Sequence, residues 1–281
     1  MQSVDRSMVG KIYPPRPASS RKGDFGKLAI IGGSKLYTGS PALVAMAAIR
    51  SGCDLTRIIA PMRAANIAAA FAPDIISYPI DCDFFSEIHV GQVLDNVQGF
   101  DAMAIGNGLG RQANTMRFVQ RLLARSKLPK VIDADAIHAV AGQDMRLQGC
   151  IITPHLGEFA ALFGKKAPGP LESQIAAAKK VANRYGCTVL LKGSVDLISD
   201  GTRVAVNRTG SPYMAKGGTG DTLAGIAGAL LARGSEPFAA ACCAAFLNGR
   251  AGELAAKKLG AGLLAIDVAN AIPAAIQSCR K

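Results

Sequence analysis

The sequence predicts an α/β protein with a mostly parallel central sheet, and three features of the chain lead to this expectation. Short apolar runs alternate with longer alanine-rich segments, which is typical of strands that alternate with helices. Several apolar runs end directly in glycine-rich loops, as buried parallel strands do where they face a ligand. Late in the chain, the Asp200-Gly201 turn joins two apolar runs and predicts a hairpin that extends the sheet with antiparallel strands.

The N-terminal segment differs in composition from the rest of the chain. Residues 1–20 are polar and contain Pro14, Pro15 and Pro17, so we expect them to form an extended arm. No stretch further along has the composition of a linker. The sequence therefore predicts a single domain that spans residues 1–281.

The first βα unit follows this arm. The apolar run 28–31 ends at Gly32-Gly33-Ser34, and residues 42–51 predict a helix with Pro41 in its first turn. The glycine pair is interpreted either as a tight turn alone or as a loop that faces a ligand.

The remaining elements are predicted from the spacing of their apolar residues. The helix expected at 237–259 is long and rich in alanine, which is compatible with packing between subunits, so we expect a homo-oligomer. The other predicted helices cover residues 63–71, 90–97, 114–125, 172–185, 222–232 and 266–276, and the further strands cover 55–60, 75–80, 101–105, 130–132, 150–152, 188–191, 197–199 and 203–207.

A second glycine loop, Gly106-Asn107-Gly108-Leu109-Gly110, follows the strand 101–105. Its pattern is weak by itself, but its place between a strand and a helix repeats the first unit. Because loops at the carboxyl ends of parallel strands lie at one edge of the sheet, we expect the two loops to form one side of a pocket.

Two carboxylates, Asp133 and Asp135, follow the next predicted strand. Side chains two positions apart on a strand lie on the same face. The pair is therefore interpreted either as a magnesium or acid/base site or, for one member, as the cap of the following helix.

The strand at 150–152 leads to His155, and Glu158 lies three residues further on. If a helix begins at Leu156, these two side chains face the same side of it. A histidine just beyond the carboxyl end of a strand is a candidate for ligand contact, although a structural histidine is the alternative.

The segment 216–225, Lys-Gly-Gly-Thr-Gly-Asp-Thr-Leu-Ala-Gly, joins a glycine-rich loop to an apolar helix. The first N–H groups of a helix lack partners within the helix, so Thr219 and the residues after it predict an anion-binding site. Asp221 would repel an anion there unless it accepts a proton from a substrate hydroxyl. Lys192, which follows a buried strand, would bring an ammonium group to the same edge. The alternative is an ordinary helix cap.

Composition limits the class of protein. The chain has 49% hydrophobic and 19% charged residues and no tryptophan, as expected for a compact globular protein. Its 7 cysteines are odd in number and include no Cys-x-x-Cys pair, so neither a disulfide framework nor a zinc site is indicated. The absence of a signal-peptide core and of a membrane-spanning run predicts a cytoplasmic protein without a membrane partner.

The net charge of +12 indicates an anionic partner. The basic residues are dispersed, and aromatic residues make up only 5% of the chain. Because nucleic-acid surfaces usually interleave basic and aromatic side chains, we expect a small polyanion as ligand and no nucleic acid.

Taken in order, these motifs resemble those of the ADP-dependent (S)-NAD(P)H-hydrate dehydratases of the ribokinase-like superfamily. The resemblance implies a three-layer αβα fold with a mostly parallel central sheet and an antiparallel hairpin extension. No single segment is decisive, but their ordered set is specific. The matching segments are 22–34, 105–110, 132–136, 153–159, 191–193 and 214–221.

The resemblance implies a reaction of nicotinamide nucleotide repair. Hydrated NADH or NADPH would be dehydrated to the reduced cofactor while ADP, the co-substrate, gives AMP and phosphate. Phosphorylation of the substrate hydroxyl would create a leaving group, with Asp221 as the base and the amides of Gly218, Thr219 and Gly220 stabilising the transferring phosphoryl group. Glu158 would organise Mg²⁺ through water.

The resemblance also implies which residues bind each substrate. The hydrated dinucleotide would contact Ser40, Gly110, His155 and Asp221. The adenine nucleotide would contact Lys192, Gly193, Ser194, Val195, Asp196 and Gly220.

Two residues depart from the family pattern: Asn107 stands where proline is common, and Asn248 where histidine is common. The epimerase domain that is often fused to such enzymes is not in this sequence, so a separate epimerase is the expected partner. Two alternatives are an ATP-dependent kinase of the same fold acting on a vitamin-precursor alcohol, and a nucleotide-binding or nucleic-acid-binding protein without catalysis.

Overall fold

The computed structural model describes residues 1–166 and 169–280, in which the chain forms ten strands and eleven α-helices. The strands are β1 (Gln2–Ser3), β2 (Lys27–Ile31), β3 (Leu55–Pro61), β4 (Ile76–Ile80), β5 (Ala102–Ile105), β6 (Lys130–Ile132), β7 (Cys150–Ile152), β8 (Thr188–Leu191), β9 (Asp196–Ser199) and β10 (Val204–Asn207). The helices are α1 (Arg6–Ile12), α2 (Ser40–Arg50), α3 (Met62–Ala69), α4 (Val90–Asn96), α5 (Ala113–Arg125), α6 (Asp135–Val140), α7 (Leu156–Phe163), α8 (Leu171–Tyr185), α9 (Thr219–Ala232), α10 (Pro237–Leu259) and α11 (Ala265–Cys279).

All ten strands belong to one sheet with the order β1-β10-β9-β8-β7-β6-β5-β2-β3-β4. The strands from β8 through β7, β6, β5, β2 and β3 to β4 are parallel, whereas β9 is antiparallel to both β8 and β10. The predicted parallel sheet with an antiparallel hairpin is therefore confirmed.

The sheet separates two hydrophobic cores. Along β2, Leu28 and Ile30 pack into the core that also contains α2, α9, α10 and α11, while Ala29 and Ile31 pack into the core with α5, α6 and α8. This alternation follows from the period of a strand, whose successive side chains point to opposite faces. Both faces are covered by helices, which gives three layers.

The helices α2 and α9 approach each other closely because a glycine lies between them. A Cβ atom on Gly225 would lie 2.3 Å from the carbonyl oxygen of Val44. This contact brings the N-terminal ends of α2 and α9, with Ser40 and Asp221, to the same side of the sheet.

The N-terminal segment is not the extended arm that its prolines predicted. Its strand β1 pairs with β10, and its helix α1 is capped by Asp5. Val9 of this helix is fully buried, and the hydroxyl of Tyr13 donates to the carbonyl of Ser51 at 3.1 Å. The prolines follow the helix and so do not prevent it, and burial of apolar side chains stabilises the segment.

The helix α10 has the bounds that the sequence predicted. Most of its alanines, including Ala240, Ala241, Ala244 and Ala245, pack in the core of the same chain. They therefore give no support to a subunit interface. Within residues 1–166 and 169–280, no helix combines the length and the apolar character needed to cross a membrane.

Candidate active site

The carboxyl ends of four parallel strands and the start of α9 meet at one edge of the sheet. Lys192 follows β8, and its Nζ atom lies 2.9 Å from Oδ1 of Asp133, which follows β6. The same ammonium lies 4.0 Å from Oε2 of Glu158, at the start of α7. The hydroxyl of Thr153, just after β7, donates to Oδ1 of Asp133 at 2.7 Å. Residues from separate strands thus form one polar cluster, as the carboxyl-end argument predicted.

The loop after β5 connects this cluster to α9. The side-chain amide nitrogen of Asn107, Nδ2, donates to Oδ2 of Asp133 at 2.9 Å and to Oδ1 of Asp221 at 2.7 Å. Asn107 is 1% exposed and Asp133 is 2% exposed, so these bonds lie inside the protein. The hydrogen-bonded network runs from Asp221 through Asn107 and Asp133 to Lys192.

The network sets the charge state of its members. The pKa of Asp221 is raised to about 6, mainly by burial and also by the negative charge of Asp133, while the hydrogen bonds from Asn107 and Ser40 and the charge of Lys192 act in the opposite direction. Burial opposes the charge of Lys192, but the carboxylates of Asp133 and Glu158 hold its pKa above the ordinary value. A carboxylate that titrates near neutral pH beside a charged lysine suits a general base.

The predicted pairing of Asp133 with Asp135 is wrong. The strand β6 ends at Ile132, and Ala134 has a φ of +50° in the helix N-cap position. This turn sends the two carboxylates in different directions. Asp133 bonds Lys192, whereas Asp135 accepts from the backbone N–H of Gly110 at 2.9 Å and from Arg111 at 3.1 Å.

His155 and Glu158 form a reciprocal cap at the start of α7. Nδ1 of His155 accepts from the backbone N–H of Gly157 at 3.0 Å, and Oε2 of Glu158 accepts from the backbone N–H of His155 at 2.9 Å. Nδ1 is therefore occupied, while the histidine side chain remains 60% exposed. Burial raises the pKa of Glu158 above its ordinary value. The positive charge of Lys192 lowers this pKa and offsets part of the rise. Nε2 of His155 lies 3.5 Å from Oε1 of Glu158, so a ligand at this nitrogen would also approach the carboxylate.

A cavity of about 510 Å³ adjoins the polar cluster, a volume typical of small-molecule sites. It extends from Lys192 between the loop 208–215 and the helix α10. Of the residues predicted to bind nucleotide, Val195 and Gly218 are not in its lining. Those that line it are Lys192, Gly193, Ser194, Asp196, Thr219 and Gly220.

The start of α9 is open to an anion. Gly218, its N-cap residue, provides no side chain for a capping hydrogen bond and has a φ of +95°. The hydroxyl of Thr219 lies 2.9 Å from the carbonyl oxygen of Met214 and 3.0 Å from that of Lys216 and shares its one hydrogen between them, which fixes the loop before the helix. The N–H groups at this helix end and the helix dipole both favour a negatively charged group.

The residues expected to contact the dinucleotide are not all joined in one network. Ser40 lies close enough to Asp221 to lower its pKa by hydrogen bonding. His155 joins the cluster through Glu158, whose carboxylate faces Lys192. Gly110 is instead bonded to Asp135.

Two residues of the site were not predicted from the sequence. Asn107 and Asn248 differ from the family pattern, but Asn107 bridges two carboxylates and Asn248 lines the cavity. Asn248 accepts from the hydroxyl of Thr222 at 2.7 Å and so helps fix the first turn of α9. For Asn107 a signal was present, since it is a polar residue just beyond the carboxyl end of a strand.

The loop 208–215 depends on a glycine of α10 for its position. A Cβ atom on Gly249 would lie 2.2 Å from Oγ1 of Thr209 and 2.6 Å from its carbonyl oxygen, and both residues line the cavity. We expect Gly249→Ala to displace the loop, because the main chain of Thr209 must move, and to weaken about tenfold the binding of the adenine nucleotide that the family resemblance implies for these residues. Isothermal titration calorimetry with ADP measures this change.

Gly91→Ala is the matched control for this prediction. Gly91 also lies in a helix, but a Cβ atom there would meet nothing within 4 Å. This variant should bind ADP as the wild type does. Equal ADP affinity of the Gly249→Ala variant and the wild type would contradict the assigned role of the loop.

A family model described as NAD(P)H-hydrate dehydratase matches residues 28–274 of the chain. The chain belongs to this family. The family that the motifs indicated is thereby confirmed.

Curated relatives agree with this assignment. An ADP-dependent (S)-NAD(P)H-hydrate dehydratase from Cenarchaeum symbiosum is 35% identical over 271 residues, which cover 96% of this chain and 94% of that protein. A bifunctional NAD(P)H-hydrate repair enzyme from Pyrobaculum aerophilum is 44% identical over 265 residues, which cover 93% of this chain and 52% of that protein. The chain thus spans about half the length of the bifunctional relatives.

A solved structure confirms the ribokinase-like fold. A ribokinase-like superfamily protein from Enterococcus faecalis has a TM-score of 0.87 at 26% identity, covering 100% of this chain and 97% of that one. An ADP/ATP-dependent NAD(P)H-hydrate dehydratase from Bacillus subtilis, co-crystallised with ATP and Mg²⁺, has a TM-score of 0.86 at 26% identity, covering 99% and 98%.

Proposed function

We propose that the protein dehydrates the S epimer of hydrated NADH or NADPH to the reduced cofactor, with ADP as the phosphoryl donor. The observation that carries this proposal is the position of Asp221. Its carboxylate lies in the first turn of α9, between an open helix end and a cluster that contains Lys192. A base, an anion-binding helix end and a lysine are what a phosphoryl transfer to an alcohol needs.

The proposed reaction has two steps. In the first, the substrate hydroxyl gives its proton to Asp221 as its oxygen bonds to the terminal phosphorus of ADP, and the phosphoanhydride bond breaks to leave AMP. In the second, the carbon–oxygen bond breaks with phosphate as the leaving group, and loss of a proton from the adjacent carbon restores the ring double bond. The N–H groups of Thr219 and Gly220 stabilise the charge on the transferring group.

The cavity beside Lys192 is the proposed site of the adenine nucleotide. Lys192 lines this cavity, and its ammonium group would neutralise a phosphate there. Its pairing with Asp133 and Glu158 keeps it charged. The supporting comparison is the Bacillus subtilis relative that was crystallised with ATP and Mg²⁺.

Mg²⁺ is part of this proposal in an indirect role. In residues 1–166 and 169–280, no three His, Cys, Asp or Glu side chains are grouped as metal ligands. Mg²⁺ often keeps its waters and binds through substrate phosphates and few carboxylates, and Glu158 fits contact through water. The ion would neutralise the charge of the nucleotide phosphates.

The proposal includes three further expectations about the protein in the cell. It would work with a separate epimerase that supplies the S epimer, it would form a homo-oligomer, and it would be cytoplasmic. Size-exclusion chromatography with light scattering measures the oligomeric state.

Recovery of the near-ultraviolet absorbance of the reduced cofactor tests the proposal. Hydrated NADH and hydrated NADPH are each supplied with ADP, ATP or no nucleotide. We expect recovery with ADP, together with one AMP and one phosphate per turnover. No recovery with any nucleotide would overturn the proposal, whereas phosphorylation of a vitamin-precursor alcohol by ATP would indicate the kinase instead.

The activity should depend on the ionisation of Asp221. Because the pKa of this carboxyl is raised from 3.8 to about 6, the base is mostly protonated below pH 6 and cannot accept a proton. We therefore expect kcat/KM to rise about tenfold per pH unit below this pKa and to level off above it. A profile of kcat/KM from pH 5 to 8 measures this rise on the acid side, and a flat profile would contradict the role of Asp221.

A further inference from the structure

Asn107 occupies a fixed position between two carboxylates that come from distant parts of the chain. Its carbonyl oxygen accepts from the backbone N–H of Gly33 at 2.8 Å, and a Cβ atom on Gly32 would lie 2.6 Å from that oxygen. The backbone of residue 107 is therefore held against the loop after β2. Its side chain then extends to Asp133 and Asp221 and is almost fully buried.

The chemistry of the two contacts requires a side-chain NH₂ group. The two acceptors, Oδ2 of Asp133 at 2.9 Å and Oδ1 of Asp221 at 2.7 Å, are carboxylate oxygens. An NH₂ group has two hydrogens and can donate one to each, whereas a hydroxyl has one and a carboxylate has none. The opposite orientation of the amide would place its oxygen against both carboxylates, which repel it.

We propose that Asn107 is a positioning residue, which holds the base Asp221 in place and links it to the carboxylate that binds Lys192. This inference rests on the proposed function for the role of Asp221 as the base. Asn107 touches no reacting atom, so its effect passes through the carboxylate. Without its hydrogen bond, the carboxylate of Asp221 would keep only the bond from Ser40, so its orientation would be less restricted and its charged form would lose a donor.

The charged groups that face Asp221 are few. Asp133 approaches from the end of β6 and Lys192 from the end of β8, while Ser40 of α2 and Asn107 contribute hydrogen bonds. The charge of Asp133 raises the pKa of Asp221, and the Asn107 bond lowers it. Removal of the amide therefore raises this pKa, which moves the acid limb of activity to higher pH.

Two variants of Asn107 test the proposal. Asn107→Leu removes both donors without adding charge, and Asn107→Asp keeps the shape of the side chain but adds a third carboxylate. We expect kcat to fall about 10- to 100-fold in Asn107→Leu, with the acid limb of kcat/KM displaced upward by about one pH unit. Asn107→Asp should show a larger displacement. The affinity for ADP should change less than about threefold in Asn107→Leu, because Asn107 does not line the cavity.

A purely structural role would give a different result. In that case kcat would fall equally at every pH, and the pH profiles of variant and wild type would be parallel, which would overturn the proposal. Asn114→Leu, at an exposed position of α5, is the matched control and should leave the profile unchanged. Circular dichroism establishes that each variant is folded.

A second measurement needs no activity. Carbon-13 NMR of labelled aspartate carboxyls follows the titration of Asp221, whose signal is assigned by its loss in Asp221→Asn. We expect the midpoint to be higher in Asn107→Leu than in the wild type, and equal midpoints would overturn the inference. Failure of the proposed function alone would abolish the dehydration reaction but leave this difference, so the two failures are distinguishable.

Discussion

Asp221→Asn should lower kcat by about 10²–10⁴-fold, the usual contribution of a general base. Asparagine has the shape of aspartate, and its oxygen can still accept the hydrogen bond from Asn107. It cannot accept the substrate proton. Because Asp221 is not in the lining of the cavity, the affinity for ADP should change by less than about threefold. Single-turnover absorbance recovery and calorimetry with ADP measure the two quantities separately.

The pH dependence of the unfolding free energy shows whether the Asp221→Asn variant has lost only the titrating carboxyl or has also lost its fold. The folded protein raises the pKa of Asp221 from 3.8 to about 6, so the folded state binds this proton more tightly than the unfolded state. The wild type therefore loses stability as pH rises from about 4 to about 6, whereas the variant has no such contribution. We expect the variant to gain stability relative to the wild type over this range, as measured by urea unfolding at pH 4.5 and 7.5.

Asp95→Asn is the control for these measurements. Asp95 lies on α4 and is exposed, so its replacement should leave turnover and ADP affinity unchanged. Residual activity of the Asp221→Asn variant above about a tenth of the wild-type value would contradict the role of Asp221 as the base. A non-catalytic nucleotide-binding protein would show no turnover in either form and would keep its affinity for ADP, although the difference in the pH dependence of stability would remain.

Gly106→Ala should be the most destabilising single substitution among the glycines of the site. Gly106 has a φ of +129°, and a Cβ atom there would lie 1.8 Å from the carbonyl oxygen of Asp133 and 2.9 Å from Cβ of Ala136. The first contact is with main chain, which cannot rotate away. Backbone strain and overpacking together should lower the free energy of unfolding by roughly 2–6 kcal/mol. Urea denaturation followed by circular dichroism measures the change.

The same substitution should also impair the reaction. Gly106 immediately precedes Asn107, and the atom that the new Cβ would displace belongs to Asp133. Asn107, which bonds Asp221, and Asp133, which bonds Lys192, would therefore both shift. Gly142→Ala is the matched control, since Gly142 has a φ of +79° but a Cβ atom there would meet nothing within 4 Å. The Gly142→Ala variant should lose only about 1–2 kcal/mol of unfolding free energy, from backbone strain alone. Equal unfolding free energies for the two variants would refute the packing argument.

The order of the strands and helices was largely predictable because their signals are local. The helix α10 has the predicted bounds, with Pro237 in its first turn and Gly260 just after its end. The hairpin of β9 and β10 follows from the Asp200-Gly201 turn between two apolar runs. The N-terminal segment was mispredicted because it is held by the burial of Val9 and Tyr13 against distant helices, which its local, proline-rich sequence does not show.

The site was predictable only to the extent that topology constrains it. Since the carboxyl ends of parallel strands meet at one edge, sequence could place Lys192, His155 and the start of α9 together. It could not give the directions of the side chains. Asp133 and Asp135 diverge because one residue between them adopts a positive φ, which no local pattern of alanine indicates.

By itself, the sequence determined the α/β class, the glycine loops at strand ends and the family. The period of the apolar residues and the order of the motifs are properties of the sequence alone and do not depend on distant contacts. Only the tertiary structure decided that Asn107 donates to two carboxylates, which lie 26 and 114 residues away. Such a contact depends on how the loops after β5 and β6 and the helix α9 pack across the same edge of the sheet. The physical reason is that a hydrogen bond is specified to within tenths of an ångström, whereas hydrophobic patterning fixes only which face of an element is buried.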